Sequence, residues 1–228
     1  MMREKIKEQL LVLNLFLNKK FFILLGFYFV FVAVFSFSVK LIFIRFGFFK
    51  EAEIVVQQII IGFRSDFLTN VLKIFTDLGG TTSITFLVLL VAGIFLWKKY
   101  YLYSVGIVFS VGVAEFVSLV LKYLIGRGRP SAILSLVLEH SPSFPSGHTL
   151  AAISFYGFLM YVVYKNVQNK SLRIFLMFLC VAVILLAGFT RIYLGVHWLG
   201  DVMASYILGG VWVVLVIYLM KKQEDIDE

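Results

Sequence analysis

Six runs of apolar residues, separated by short polar stretches, pattern this chain at roughly 21–39, 81–97, 101–121, 149–164, 174–189 and 202–220. Each is close to the ~20 residues a helix needs to cross the hydrocarbon of a bilayer. The runs are too long for barrel strands, and lipid requires backbone groups to be paired within a segment, so helices are predicted throughout. The pattern therefore predicts an all-α integral membrane protein with six transmembrane helices. The first run follows Lys19-Lys20, which resembles the charged region of a signal peptide. It is too long for one and lacks a small-residue cleavage site, so it reads as an anchor.

Residues 40–80 follow a different pattern. Phe67, Leu68, Val71, Leu72, Phe75 and Leu78 mark one helical face, and Asp66, Asn70, Lys73 and Asp77 another. This predicts an amphipathic helical segment on the outer membrane surface, between the first and second spans. Gly62 is expected to divide it into two helices and Gly79-Gly80 to end it. No repeat or long polar linker interrupts the chain. One membrane domain is expected over 21–220, between a cytoplasmic N-terminal segment 1–20 and a cytoplasmic tail 221–228.

Composition sharpens this picture. Of 228 residues, 61% are hydrophobic and 15% charged, where soluble domains carry about 25% charged residues; the mean hydropathy is +0.97. The net charge of +8 is assigned to lipid headgroups rather than nucleic acid, because basic residues flank membrane helices. A cytoplasmic N-terminus puts twelve Lys and Arg inside and nine outside; four of the nine, Lys122, Arg127, Arg129 and Arg191, adjoin the motifs below. The one cysteine, Cys180, sits in an apolar run and reads as a buried small side chain, with no intrachain disulfide available.

All three prolines, Pro130, Pro142 and Pro145, fall in the predicted outer loop between the third and fourth spans, part of which reads SPSFPSGHTL (141–150). Rigidity is concentrated there. Ser146 and Gly147 offer a hydroxyl and closely approachable N–H groups at the start of a helix whose N-terminus favours an anion, although such a serine also fits an ordinary N-cap. Lys122, Arg129 and Arg191 stand at the outer ends of different spans. Singly, each fits a headgroup-facing side chain. Gathered together they need an anion between them, and a phosphoryl group suits, with arginine supplying forked donors and lysine a point charge. His197 and Asp201 are four apart and share a helix face. The carboxylate would fix the imidazole tautomer and leave the other nitrogen as nucleophile or base. Zinc is the competing reading of His148, His197 and Asp201. The surrounding cations would repel it, so no metal is expected.

The stretches KYLIGRGRP (122–130), PSGH (145–148) and TRIYLGVHWLGD (190–201) resemble, in order, the three signature motifs of the type 2 phosphatidic acid phosphatase superfamily. The similarity covers roughly residues 50–220 and is strongest toward bacterial membrane phosphatases of phosphatidylglycerophosphate or undecaprenyl pyrophosphate. The resemblance implies that Lys122, Arg129, Ser146, Gly147 and Arg191 hold the phosphoryl oxygens. It implies that His197 attacks phosphorus, Asp201 orients and charge-stabilises His197, and His148 protonates the departing oxygen and then activates water. No metal or other cofactor is implied; the partners are a membrane lipid phosphate and the bilayer. Thr190 stands where the family often has Ser, and a hydroxyl is kept.

The leading expectation is hydrolysis of a lipid phosphate or pyrophosphate at the outer face of a bacterial plasma membrane. Transfer to another acceptor through the same phosphohistidine is the alternative, and transport a remote one, since nothing in it calls for PSGH or the His–Asp spacing. Arg127 is expected at the lipid headgroup, and Glu139 and His140 as solvent-facing loop residues. Glu115, in the third span, carries an insertion cost of about 2.5–3.5 kcal/mol for a charged residue at a helix centre. It is expected to face the bundle, paired with a cation or selecting substrate.

Overall fold

The computed structural model describes residues 19–45, 47–76 and 80–225. Among these it is helical, with no strand: α1 (Lys19–Arg45), α2 (Gly47–Gly62), α3 (Asp66–Thr76), α4 (Thr81–Trp97), α5 (Tyr101–Ile125), a 3-10 turn at Ala132–Leu134, α6 (Gly147–Asn166), α7 (Lys170–Tyr193) and α8 (Leu199–Asp225). Five of them, α1 and α5 to α8, are long and apolar enough to cross a bilayer. The expected second span is α4, which is apolar but only 17 residues long. Most of the predicted N-terminal segment, the last three residues of the tail, and Asp77, Leu78 and Gly79 of the predicted amphipathic stretch lie outside the described residues.

The helix ends follow local chemistry. Gly126, at φ +63°, closes α5 by donating its N–H to the carbonyl of Lys122 at 3.1 Å, a left-handed cap that glycine adopts without strain. Asn169 opens α7 by accepting the N–H of Leu172 at 3.0 Å.

Helix α6 is the centre of the bundle and packs against α4, α5, α7 and α8. About half of the α5, α6 and α8 spans is buried, against 17% of α1 and 22% of α7, so these two form the lipid-facing rim. Lipid tails are as apolar as leucine, so association in a membrane rests on close packing and hydrogen bonds. Both are visible here. A Cβ on Gly106 would lie 2.6 Å from the Met220 sulfur and 2.7 Å from the Phe158 ring, so a larger residue there would make these side chains shift. Across helices, the Trp212 indole donates to the Ser110 carbonyl at 2.7 Å, and the Ser110 hydroxyl donates to the Ser154 carbonyl at 2.9 Å.

Helices α2 and α3 bracket the turn between α7 and α8. Gly62 ends α2, where the sequence places the break. The single apolar stripe expected on α3 is divided: Leu68 and Leu72 pack with Tyr193, Leu194 and Val196, whereas Phe67 is 78% exposed. Arg64, in the turn before α3, donates twice to the Tyr193 carbonyl, at 3.0 and 2.6 Å, and once to the Leu134 carbonyl at 2.8 Å. Gln57 of α2 donates to the Ile192 carbonyl at 3.0 Å. The bracket leaves no room at Gly195, whose φ is +77° and whose Cβ would lie 2.6 Å from the Leu134 carbonyl oxygen.

Candidate active site

Because α5 to α8 alternate in direction, the C-termini of α5 and α7 and the N-termini of α6 and α8 meet at one end of the bundle. Lys122, the Ser146-Gly147-His148 run, Arg191 and the His197–Asp201 pair are thereby gathered from separate segments. The 126–146 loop adds Arg127, Arg129 and Glu139. The α7–α8 turn is fixed by the Arg191 carbonyl, which accepts the N–H groups of Val196 at 3.2 Å and His197 at 3.3 Å.

Backbone carbonyls hold two of the cations. Lys122 Nζ donates to the Pro142 carbonyl at 2.6 Å, and Arg129 donates to the carbonyls of Ser141 and Val196, both at 2.7 Å. Arg191 is 2% exposed and donates to the Thr76 hydroxyl at 3.1 Å. Its other terminal nitrogen donates to Glu139 Oε1 at 2.5 Å, and Glu139 Oε2 lies 3.6 Å from Arg129 Nη2. Glu139, expected to face solvent, is thus drawn inward by two guanidiniums. Its two oxygens and shared charge stand in for an oxyanion held between Arg191 and Arg129. His140 is exposed, as expected.

His197 is 2% exposed. Its Nδ1 lies 3.5 Å from Asp201 Oδ2 and its Nε2 lies 3.3 Å from Arg129 Nη1. A guanidinium only donates and a carboxylate only accepts, which assigns the proton to Nδ1 and turns the Nε2 lone pair toward the cations. At 3.5 Å the aspartate contact is an approach and not a hydrogen bond, for Nδ1 is buried without a hydrogen-bond partner among the described residues; catalytic contacts of this kind tighten as the reaction proceeds. Burial lowers the imidazole to about 4, outweighing the rise caused by Asp201, while Arg191 and Arg129 lower it further. The ring is therefore neutral, with its lone pair available, at neutral pH. His148 lies in the first turn of α6, at the same end of the bundle.

The α6 N-terminus differs in detail from the expectation. The Ser146 hydroxyl pairs with the Thr149 hydroxyl at 2.9 Å and does not cap the helix. What this end offers an anion is the N–H groups of its first turn. The Thr190 hydroxyl lies 3.2 Å from that of Thr76 and 2.9 Å from the Ala187 carbonyl.

Arg127 corrects an expectation. It is not a headgroup contact: Nη1 donates to Asp201 Oδ1 at 2.5 Å, Nη2 bonds to Glu53 Oε2, and the guanidinium carbon stacks 3.6 Å from the Phe43 ring centroid. Glu53 and Thr76 are polar contributors that the motifs did not reveal. One signal was present for the first: Glu53 and Gln57 sit four apart on α2 and are buried there, whereas Lys50, Glu51 and Gln58 of the same helix are exposed. Glu115 Oε1 is buried without a hydrogen-bond partner among the described residues, and Lys122 is the cation whose charge acts on it. Also among the described residues, no three His, Cys, Asp or Glu side chains gather as metal ligands.

The sequence pattern of the PAP2 superfamily matches residues 103–225, a stretch that contains every predicted site residue. Phosphatidylglycerophosphatase B of Bacillus subtilis strain 168 is 30% identical over 174 residues, covering 75% of this chain and 83% of that protein. A crystal structure of a transmembrane PAP2-type phosphatidylglycerolphosphate phosphatase from Bacillus subtilis matches with a TM-score of 0.72 and 27% identity, over 87% of this chain and 96% of that one. LpxE of Aquifex aeolicus matches with a TM-score of 0.59 and 21% identity, over 74% and 94%, a likeness of fold alone.

Proposed function

Because the chain belongs to the PAP2 superfamily and is a membrane lipid phosphatase, we propose that it removes the terminal phosphate of phosphatidylglycerophosphate at the outer face of a bacterial plasma membrane, without a metal, through a phosphohistidine at His197. Undecaprenyl pyrophosphate and phosphatidic acid carry the same phosphoryl end and are the competing substrates. The order of preference follows the activity named for the Bacillus subtilis relatives. The topology that goes with this reading has α4 as a sixth crossing, both termini cytoplasmic, and α3 at the outer surface.

The observation that carries the reading is the Glu139 carboxylate between Arg191 and Arg129, beside a histidine whose Nε2 lone pair faces Arg129. Such a pocket suits a phosphoryl group, with Lys122 and the first-turn N–H groups of α6 as further donors. In the first step Nε2 attacks phosphorus and the bond to the lipid oxygen breaks. His148 gives that oxygen its proton. Asp201 supports the positive charge that develops on the His197 ring. In the second step His148 takes a proton from water, the resulting hydroxide attacks phosphorus, and the P–N bond breaks to release inorganic phosphate and neutral His197.

The test is phosphate release by the purified protein from the three lipids, with a chelator in every reaction. Phosphatidylglycerophosphate is expected to turn over fastest, with the chelator harmless. Absence of phosphate release from all three lipids, or activity lost to chelator and restored by added metal, would overturn the reading.

A further inference from the structure

We propose that Glu53 and Arg127 are positioning residues for the chemistry at His197: Arg127 locks the Asp201 carboxylate against the imidazole, and Glu53 cancels the charge that the lock would otherwise impose. The proposal rests on the phosphohistidine reading above. Its starting point is the complete assignment of the fully buried Asp201. Oδ2 accepts the Trp198 N–H at 3.0 Å and faces His197 Nδ1. Oδ1 accepts from Arg127 at 2.5 Å. With both oxygens engaged, rotation of the carboxylate away from the ring would break the bonds to Arg127 and Trp198. The Arg127 guanidinium carbon lies 3.6 Å from the Phe43 ring centroid and 5.8 Å from that of Trp198.

A lock of this kind has an electrostatic cost. An arginine bonded to the aspartate neutralises it, and a neutral pair gives little support to the positive ring that forms when the imidazole is phosphorylated. Glu53 answers this. One of its oxygens bonds to Arg127 and the other accepts the Gly200 N–H at 2.9 Å, with the residue 7% exposed. One guanidinium and two carboxylates sum to a single negative charge, which a positive ring completes to zero. Gly200 belongs to the same device, since a Cβ there would lie 2.6 Å from Glu53 Oε1. A buried carboxylate needs this much bonding to be tolerated.

The charged and titratable groups facing His197 are Asp201 from α8, Arg191 from α7, Arg129 from the loop after α5, and His148 from α6. Glu53 and Arg127 act behind Asp201 and do not touch the reacting atoms. Their signature is therefore a displaced titration, which damaged packing alone would not produce.

The experiment measures kcat/KM for phosphate release from phosphatidylglycerophosphate across acidic pH with the full-length protein, using one substrate so that its own ionisation cancels between variants. In Glu53→Gln a negative charge is lost near the ring. The acidic limb is expected to move down by roughly half a pH unit, and kcat to fall about 10-fold with KM within about threefold. In Arg127→Gln two carboxylates are left without their cation, and the limb is expected to move up by a similar amount. The double variant is expected to return it toward the wild-type position. A limb that stays in place in the folded single variants, whatever the fall in kcat, overturns the proposal. Where one single variant fails to fold, the other and the double variant decide; if none of the three folds, the cluster serves folding alone and the proposal is equally overturned. His197→Ala is the control: full activity in it refutes the phosphohistidine reading itself, whereas an inactive His197→Ala beside unmoved limbs refutes only the roles given to Glu53 and Arg127.

Discussion

Two arginine-centred clusters at the same end of the bundle use the same parts differently. Arg127 lies between Glu53 and Asp201 and under Phe43, with both carboxylates buried. Arg191 lies between Thr76 and Glu139, and Glu139 comes from a loop and has a side chain 28% exposed. The first cluster is closed at its two carboxylates and anchored to helices α2 and α8, with the Arg127 side chain 14% exposed. The second is closed on the Thr76 side and open at Glu139, a loop carboxylate that an incoming phosphoryl group is expected to displace. A carboxylate fixed on helices is suited to orienting chemistry, and one on a loop to yielding its place to an outside oxyanion.

The largest effect is expected where the two clusters meet. His197→Ala should lower phosphate release by about five orders of magnitude, with the thermal unfolding midpoint of the purified protein near that of wild type; substantial turnover in this variant would separate the clusters from catalysis. Next, Asp201→Asn should cost roughly 1,000- to 10,000-fold in kcat with little change in KM, because the closed cluster then presents the wrong partner to Nδ1. The open cluster should behave in the opposite sense: Arg191→Ala is expected to weaken inhibition by vanadate about 100-fold, measured as the concentration that halves the rate.

The pH profile gives a finer separation. With the His197 imidazole lowered to about 4, chiefly by burial, the proposed nucleophile is unprotonated above that value and is expected to be switched off as the pH falls through it. The acidic limb of kcat/KM should therefore lie near pH 4, well below the ~6.5 of an ordinary histidine. A limb at 6.5, after correction for substrate ionisation, would mean that the ring is solvated. The smallest effect is expected from Glu139→Gln, which removes the competing loop anion: vanadate should inhibit at a concentration some three- to tenfold lower. Weaker inhibition would assign Glu139 to holding the arginines in place.

The open cluster and the His197–Asp201 pair were legible in the sequence, whereas Glu53 and Arg127, which complete the closed cluster, were not. Lys122, Arg129, Arg191, His197 and Asp201 stand at helix ends beside prolines and glycines, and a charge at the end of an apolar run is conspicuous. Their convergence follows from the alternating direction of the spans. Glu53 and Thr76 sit inside or at the end of amphipathic segments, where a polar residue reads as the solvated face until a partner from far along the chain is known. Arg127 shows the same limit, since its two carboxylates are each 74 residues away and no local pattern connects them. The α3 stripe was read as one face because spacing reports periodicity and not docking. The neighbouring bracket, built from Arg64 on the carbonyls of Tyr193 and Leu134, decides which of its apolar residues turn inward.

The carbonyl tethers on Lys122 and Arg129 have a consequence for the shape that this pocket prefers. A side chain bonded to the main chain of a proline-rich loop cannot follow an oxygen that moves, so these positive charges stay put while the phosphorus passes from a tetrahedron to a flattened trigonal bipyramid. The distance between them then acts as a ruler. Anions that share charge but differ in geometry, such as sulfate and five-coordinate vanadate, would be graded by how well they span it.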